Sequence, residues 1–183
     1  MKKLKYSTPF YSRDYFTKNI LPHSVLADRK TIRQQIPYRQ HDDLEMLLIR
    51  EGAGIITVNA VEYPISRGDM FCFSPYHFHR LDVLRGDTLE VSECHVNSGL
   101  YFYISACPYF IPPDSTKLHY PHLHVHLDET RTRQTEKLID EISQECERKK
   151  IQENQSLFFL LMKLFGIMER YALLEASEDS SAE

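Results

Sequence analysis

Between Leu44 and Val96 the chain is cut into short runs rich in β-branched and aromatic residues. The cuts fall at Gly52-Ala53-Gly54, Asn59, Ser66-Arg67-Gly68-Asp69, Pro75 and Arg85-Gly86-Asp87, and Asn97-Ser98-Gly99 closes the series. Turn signals every ~8–12 residues are the signature of a small antiparallel sandwich or barrel. The middle of the chain is therefore read as all-β.

The flanks follow other rules. Residues 1–38 mix Tyr, Phe, Lys and Arg with Pro9, Pro22 and Pro37 and show no sustained period. This predicts an N-terminal arm with one or two short strands, around Ser24 to Ala27 and Thr31 to Ile36. Residues 97–121 are aromatic and proline-rich and give no assignable element. The segment His122 to Leu127 alternates strictly, placing Leu123, Val125 and Leu127 on one face and His122, His124 and His126 on the other, as in a half-buried strand. After Asp128 the period changes. Leu138, Ile139, Ile142 and Cys146 recur at helical spacing among charged residues, predicting an amphipathic helix over 130–149 capped by Asp128 or Thr130. A second helix is expected from Asn154 to Leu174. It carries one apolar stripe at Leu157, Leu161, Leu164, Met168 and Tyr171 and an overlapping one at Leu160, Leu164, Ile167, Tyr171 and Leu174. One stripe can pack on the rest of the chain and the other needs a partner. Leu157, Leu161, Leu164, Met168 and Tyr171 are thus the expected homodimer interface. Glu175 to Glu183, small and acidic, reads as linker or frayed tail.

Composition narrows the function. Hydrophobic residues make up 42% of the 183 and charged residues 26%, enough apolar content for one good core. The net charge of -4 and pI near 6.1 give no basic footprint for nucleic acid. Cys72, Cys94, Cys107 and Cys146 are widely spaced without a C-x-x-C pair and are read as reduced core thiols of a cytoplasmic protein. No apolar stretch approaches a secretory signal or the roughly 20 residues of a membrane span, so no membrane partner is expected.

The segment Leu44 to Gly54, with Tyr63-Pro64-Ile65-Ser66-Arg67-Gly68-Asp69-Met70-Phe71-Cys72-Phe73-Ser74-Pro75 and His79, resembles the cupin sensor domain of AraC-type transcription regulators. Glycines end the first hairpin, a Gly-Asp turn opens the next strand, and a proline leads to a histidine at a strand entrance. The resemblance covers roughly residues 39–174 and includes the two C-terminal helices. It implies a mainly-β, cupin-like antiparallel barrel of jelly-roll type (39–127), preceded by the arm (1–38). A helical pair for dimerisation (128–174) and the tail (175–183) would follow. It also implies a sensor for a small polar effector, of which a sugar is one example. DNA would then be reached only through a C-terminal helix-turn-helix domain not present in this chain.

Cupin enzymes carry a motif of the form H-x-H, E and G, followed by a proline and a final histidine. His41, Glu45 and Gly52, with Pro75 and His79, stand at matching places, and Arg39 stands where the first histidine is missing. The ligand-lining expectation is His41, Glu45, Phe73, His79 and Glu93. The cofactor expectation is either none or one divalent transition metal (Zn, Ni or Fe) on His41, Glu45 and His79, ligand types that suit these ions. Residues four apart on a straight strand lie ~13 Å apart, so sharing an ion requires a bend, which Asp42-Asp43 could supply. The rival to a sensor is a metal-dependent cupin isomerase or oxygenase built on these three residues. A metal on His122, His124 and His126 is the lesser alternative. No nucleophile motif, phosphate loop or paired-carboxylate setting points to another enzyme class. The aromatic side chains of Tyr6, Phe10, Tyr11, Tyr15 and Phe16 suit an arm that closes over a filled pocket.

Overall fold

The computed structural model describes residues 25–75, 77–84, 86–105, 122–148 and 154–179. The strands are β1 (Val25–Ile32), β2 (Ile36–Arg39), β3 (Leu44–Glu51), β4 (Gly54–Val58), β5 (Val61–Ile65), β6 (Asp69–Phe73), β7 (His79–Val83), β8 (Leu89–Val96) and β9 (His122–His126). The helices are α1 (Ser98–Ser105), α2 (Glu129–Arg148) and α3 (Asn154–Asp179). The fold is mainly β and cupin-like. A five-stranded sheet, order β1-β8-β3-β6-β9, faces a four-stranded sheet, order β2-β7-β4-β5, and the paired strands are antiparallel. The expected barrel is thus two facing sheets, whose ladders do not join into one closed ring among the described residues.

Strand alternation sorts the five-stranded sheet into two cores. Leu47 and Ile49 of β3, Phe71 and Phe73 of β6 and Val91 of β8 meet Ile56 and Leu81 between the sheets. Leu44, Met46 and Leu48 point the other way, to Leu138, Ile139 and Ile142 of α2 and to Leu157, Leu161 and Leu164 of α3. Strand β3 is therefore buried on both faces, which is why Leu44–Ile49 has no exposed residue. Each such aliphatic side chain contributes roughly 1.5–3 kcal/mol by leaving water.

Several boundaries differ from the sequence expectation. Instead of two short strands, β1 runs unbroken through Asp28-Arg29-Lys30, because Arg29 and Lys30 pair with Glu90 and Glu93 on β8. Asn97-Ser98-Gly99 opens α1 rather than a turn: the Asn97 side chain accepts from Gly99 N at 2.9 Å. Asp128, not Thr130, caps α2, accepting from Arg131 N at 2.9 Å. Helix α3 continues past Leu174 to Asp179. None of the described helices is long and apolar enough to cross a membrane. Cys72, Cys94 and Cys146 are free thiols, and burial, with Glu45 nearby, pushes Cys72 up to about 12. Cys107 and the five arm aromatics lie outside the described residues.

The largest correction concerns the dimer seam. Leu157, Leu161, Leu164 and Met168 are at most 3% exposed within the single chain, and Arg131 lies over the Tyr171 ring at 4.6 Å. This stripe is spent on α2 and the sheet. The helix leaves Phe159 68% exposed, with Lys163, Gly166 and Arg170 also turned outward.

At the far end of β3 the ladder with β8 shifts register around Arg50. The freed Arg50 carbonyl accepts from Arg67, and Gly68 N donates to Ile49 O at 3.0 Å. The Arg50 guanidinium holds Asp140 of α2 through two bonds of 2.7 and 3.1 Å and donates to Ser92 at 2.9 Å. The bulge thus fastens the helical pair to the sheet.

Candidate functional site: a buried carboxylate cluster at one end of the sheets

Residues 40–43 form a bend between β2 and β3, as the shared-site geometry required. The bend returns His41 to Glu45, with His41 Nε2 2.7 Å from Glu45 Oε2. His79, at the start of β7, approaches the same oxygen at 3.2 Å. Register does the rest. Glu45 lies opposite Phe73 on β6 and His95 on β8, and Arg39 lies opposite His79. The Phe73 ring stacks on His79 at 4.4 Å and 5°. Glu93, two residues before His95, enters from the same face of β8.

Four of the five expected lining residues thus meet directly, and Glu93 joins them through Arg39, with Lys30 on its other oxygen. Arg39 Nη2 donates to Glu45 Oε1 at 2.5 Å, and Arg39 Nε donates to His79 Nε2 at 2.7 Å. The same Nη2 lies 3.6 Å from Glu93 Oε1, while Lys30 Nζ donates to Glu93 Oε2 at 2.5 Å. Glu45 and Glu93 have no exposed surface. Burial pushes the Glu45 carboxyl up, but the contacts with His41 and Arg39 outweigh it and hold the group well below the usual carboxylate range. Burial likewise raises Glu93, and His95 and Lys30 reverse it to a net lowering. The Glu45 contact raises His41 despite its partial burial. Its ring donates from both nitrogens, to Glu45 and to the Asp43 carbonyl at 3.0 Å, which is the hydrogen bonding of an imidazolium.

Lys30, Asp28 and His95 were missed as site residues, and Arg39 was named only as a missing histidine. The signal for His95 was present, since it shares a strand face with Glu93. Lys30 and Asp28 became legible only once β1 was paired to β8. Two acceptors of this cluster lack a hydrogen-bond partner: Glu93 Oε1 and Asp28 Oδ1, side chains of register partners on β8 and β1. The nitrogens of His41 and His95 and an oxygen of Glu45 lie within 4.8 Å of one another.

His124 and His126 of β9 lie against Asp69 instead. His124 stacks on Phe71 at 4.2 Å and 8° and bonds Asp69 Oδ1 at 2.9 Å, which His126 also reaches at 3.1 Å. Val125 and Leu127 are buried on the opposite face, as the alternation predicted. These contacts pin β9 to β6 beside the intersheet core.

Known proteins resemble this architecture. The chain is 25% identical over 118 residues to the HTH-type transcriptional activator RhaS of Yersinia pestis, a match covering 64% of this chain and 42% of that protein. The chain therefore spans less than half the length of the curated relatives it matches. Among solved structures, apo ToxT from Vibrio cholerae superposes with TM-score 0.58 at 10% identity, covering 80% of this chain and 56% of that one. ToxT solved with a bound unsaturated fatty acid gives TM-score 0.53 at 13% identity, covering 82% and 56%. The family profile described as the AraC-like ligand binding domain matches residues 21–182, nearly the whole chain. The chain belongs to the AraC-like ligand binding domain family.

Proposed function

We propose that the chain is the effector-binding and dimerisation domain of an AraC-type transcription regulator, taking a neutral, hydroxyl-rich small molecule such as a sugar at the Glu45–Glu93 cluster. The observation that carries this reading is the pair of acceptors without a hydrogen bond, Glu93 Oε1 and Asp28 Oδ1, each 3.6 Å from a cationic nitrogen, at a cluster whose charges already balance. Lys30, Arg39 and His41 offset Asp28, Glu45 and Glu93. A ligand bringing a net charge would upset that balance, whereas hydroxyl groups donate to the orphaned oxygens at no such cost.

Binding would be read by a helix-turn-helix domain joined to the C-terminus, with two copies meeting through the outward face of α3 around Phe159 and Gly166. The name of RhaS supports the regulator half of this reading. Isothermal titration of the chain against a panel of neutral polyols, with fatty acids and small carboxylates as the contrasting set, tests it. Saturable polyol binding that is lost in Glu93→Gln is expected. Binding confined to the carboxylates would refute the ligand class.

A further inference from the structure

The cupin-like fold implies a divalent metal at this cluster, and the donor types at hand, imidazole and carboxylate, are those that zinc, nickel or iron would take. The positions of these groups do not fit an ion. We propose that the Arg39 guanidinium is the resident cation of the cluster, a tethered charge standing where a metal would stand, and that Arg39 makes the site reject divalent metals.

Four contacts carry this. Arg39 Nε–H occupies the Nε2 lone pair of His79, the pair a metal would need. Arg39 Nη2 occupies Glu45 Oε1 and lies 3.6 Å from Glu93 Oε1, so one group serves both buried carboxylates. The second carboxylate is also closed from its other side, because Lys30 Nζ sits on Glu93 Oε2. What remains is His41, the second oxygen of Glu45 and His95. An ion placed there would share Glu45 with the guanidinium and face its positive charge at close range inside a poorly hydrated site, where like-charge repulsion is weakly screened. A planar guanidinium is suited to this duty: its several N–H groups reach different acceptors at once, and it does not lose its proton.

Exclusion of metal by Arg39 holds whichever effector the domain takes. The test is titration with Zn(II) and with Co(II), whose absorption reports coordination, on the 183-residue chain purified without a metal-affinity tag. Wild type is expected to bind no stoichiometric metal at micromolar concentration, and one equivalent bound there would overturn the proposal. Arg39→His, which replaces the cation with a ligand, is expected to bind at least about a hundredfold more tightly than wild type. Arg39→Gln, which removes the charge and keeps a polar group, should show a smaller gain. Circular dichroism establishes that each variant is folded; if neither folds, the wild-type titration decides. A folded Arg39→His with no gain would refute the role of Arg39. So would a gain undiminished by adding Glu45→Gln, because the metal would then lie elsewhere.

Discussion

The two sides of α3 make opposite predictions for two substitutions on the same helix. Leu161 has no exposed surface and sits in the core between α2, α3 and the sheet, whereas Phe159, two residues earlier, is 68% exposed. Leu161→Ala removes a filled side chain from a site built of two helices and a sheet, at a cost of about 3 kcal/mol within the range for buried leucines. For a chain of this size that corresponds to a fall in Tm of roughly 6–12 °C. Phe159→Ala leaves the fold of one chain within about 0.5 kcal/mol of wild type. It should instead weaken association by roughly tenfold if the aromatic side chain anchors the pair. Thermal melts over a range of protein concentration separate the two effects, because only a dimer melts at a concentration-dependent temperature, and sedimentation equilibrium reads association directly. A Leu161→Ala chain that melts like wild type but sediments as a monomer would refute the placement of the inner stripe.

Stability should be greatest between about pH 4.5 and 6.5. The contribution of Glu45, held below its ordinary value of 4.5, is present above that value and fades as pH falls. That of His41, raised above 6.5, is complete below 6.5 and fades as pH climbs through the raised value. Urea unfolding against pH should show this maximum, and Glu45→Gln should flatten both flanks; an unchanged profile in the variant would dismiss the coupling. Gly52→Ala should destabilise by more than the ~1–3 kcal/mol typical of backbone strain, since φ is +90° and a Cβ would stand 2.1 Å from the Thr88 carbonyl oxygen. Gly86→Ala, at φ +84° with nothing within 4 Å, should carry the strain alone, so equal melting temperatures for the two variants would count against the close approach. Asp140→Asn should cost about 1–2 kcal/mol in denaturant unfolding, because it removes the charge from a two-bond pair with the largely buried Arg50. No loss would show that the bulge does not fasten α2.

Periodicity and turn chemistry are local properties, and they determined much of this protein. The spacing of Gly52, Asn59 and Gly68 marked the hairpins, and the change from alternation to helical spacing at Asp128 marked the start of α2. Motif order placed His41, Glu45 and His79 together and required the bend at 42–43 that the chain makes. What the sequence left open depends on partners distant along the chain. Whether Asp28-Arg29-Lys30 interrupts a strand is decided by Glu90 and Glu93, some sixty residues away. Which stripe of α3 is spent inside the chain is decided by α2 and the sheet, because two overlapping apolar stripes on one helix look alike until one of them is covered. The nature of the site turned on Arg39, which reads in sequence as an absent histidine. Only when β2 is registered against β7, and β3 against β8, does its guanidinium fall on Glu45 and His79 at once, within reach of Glu93. Tertiary structure decides such a case because a charge acts through distance and dielectric, and neither is written along the chain.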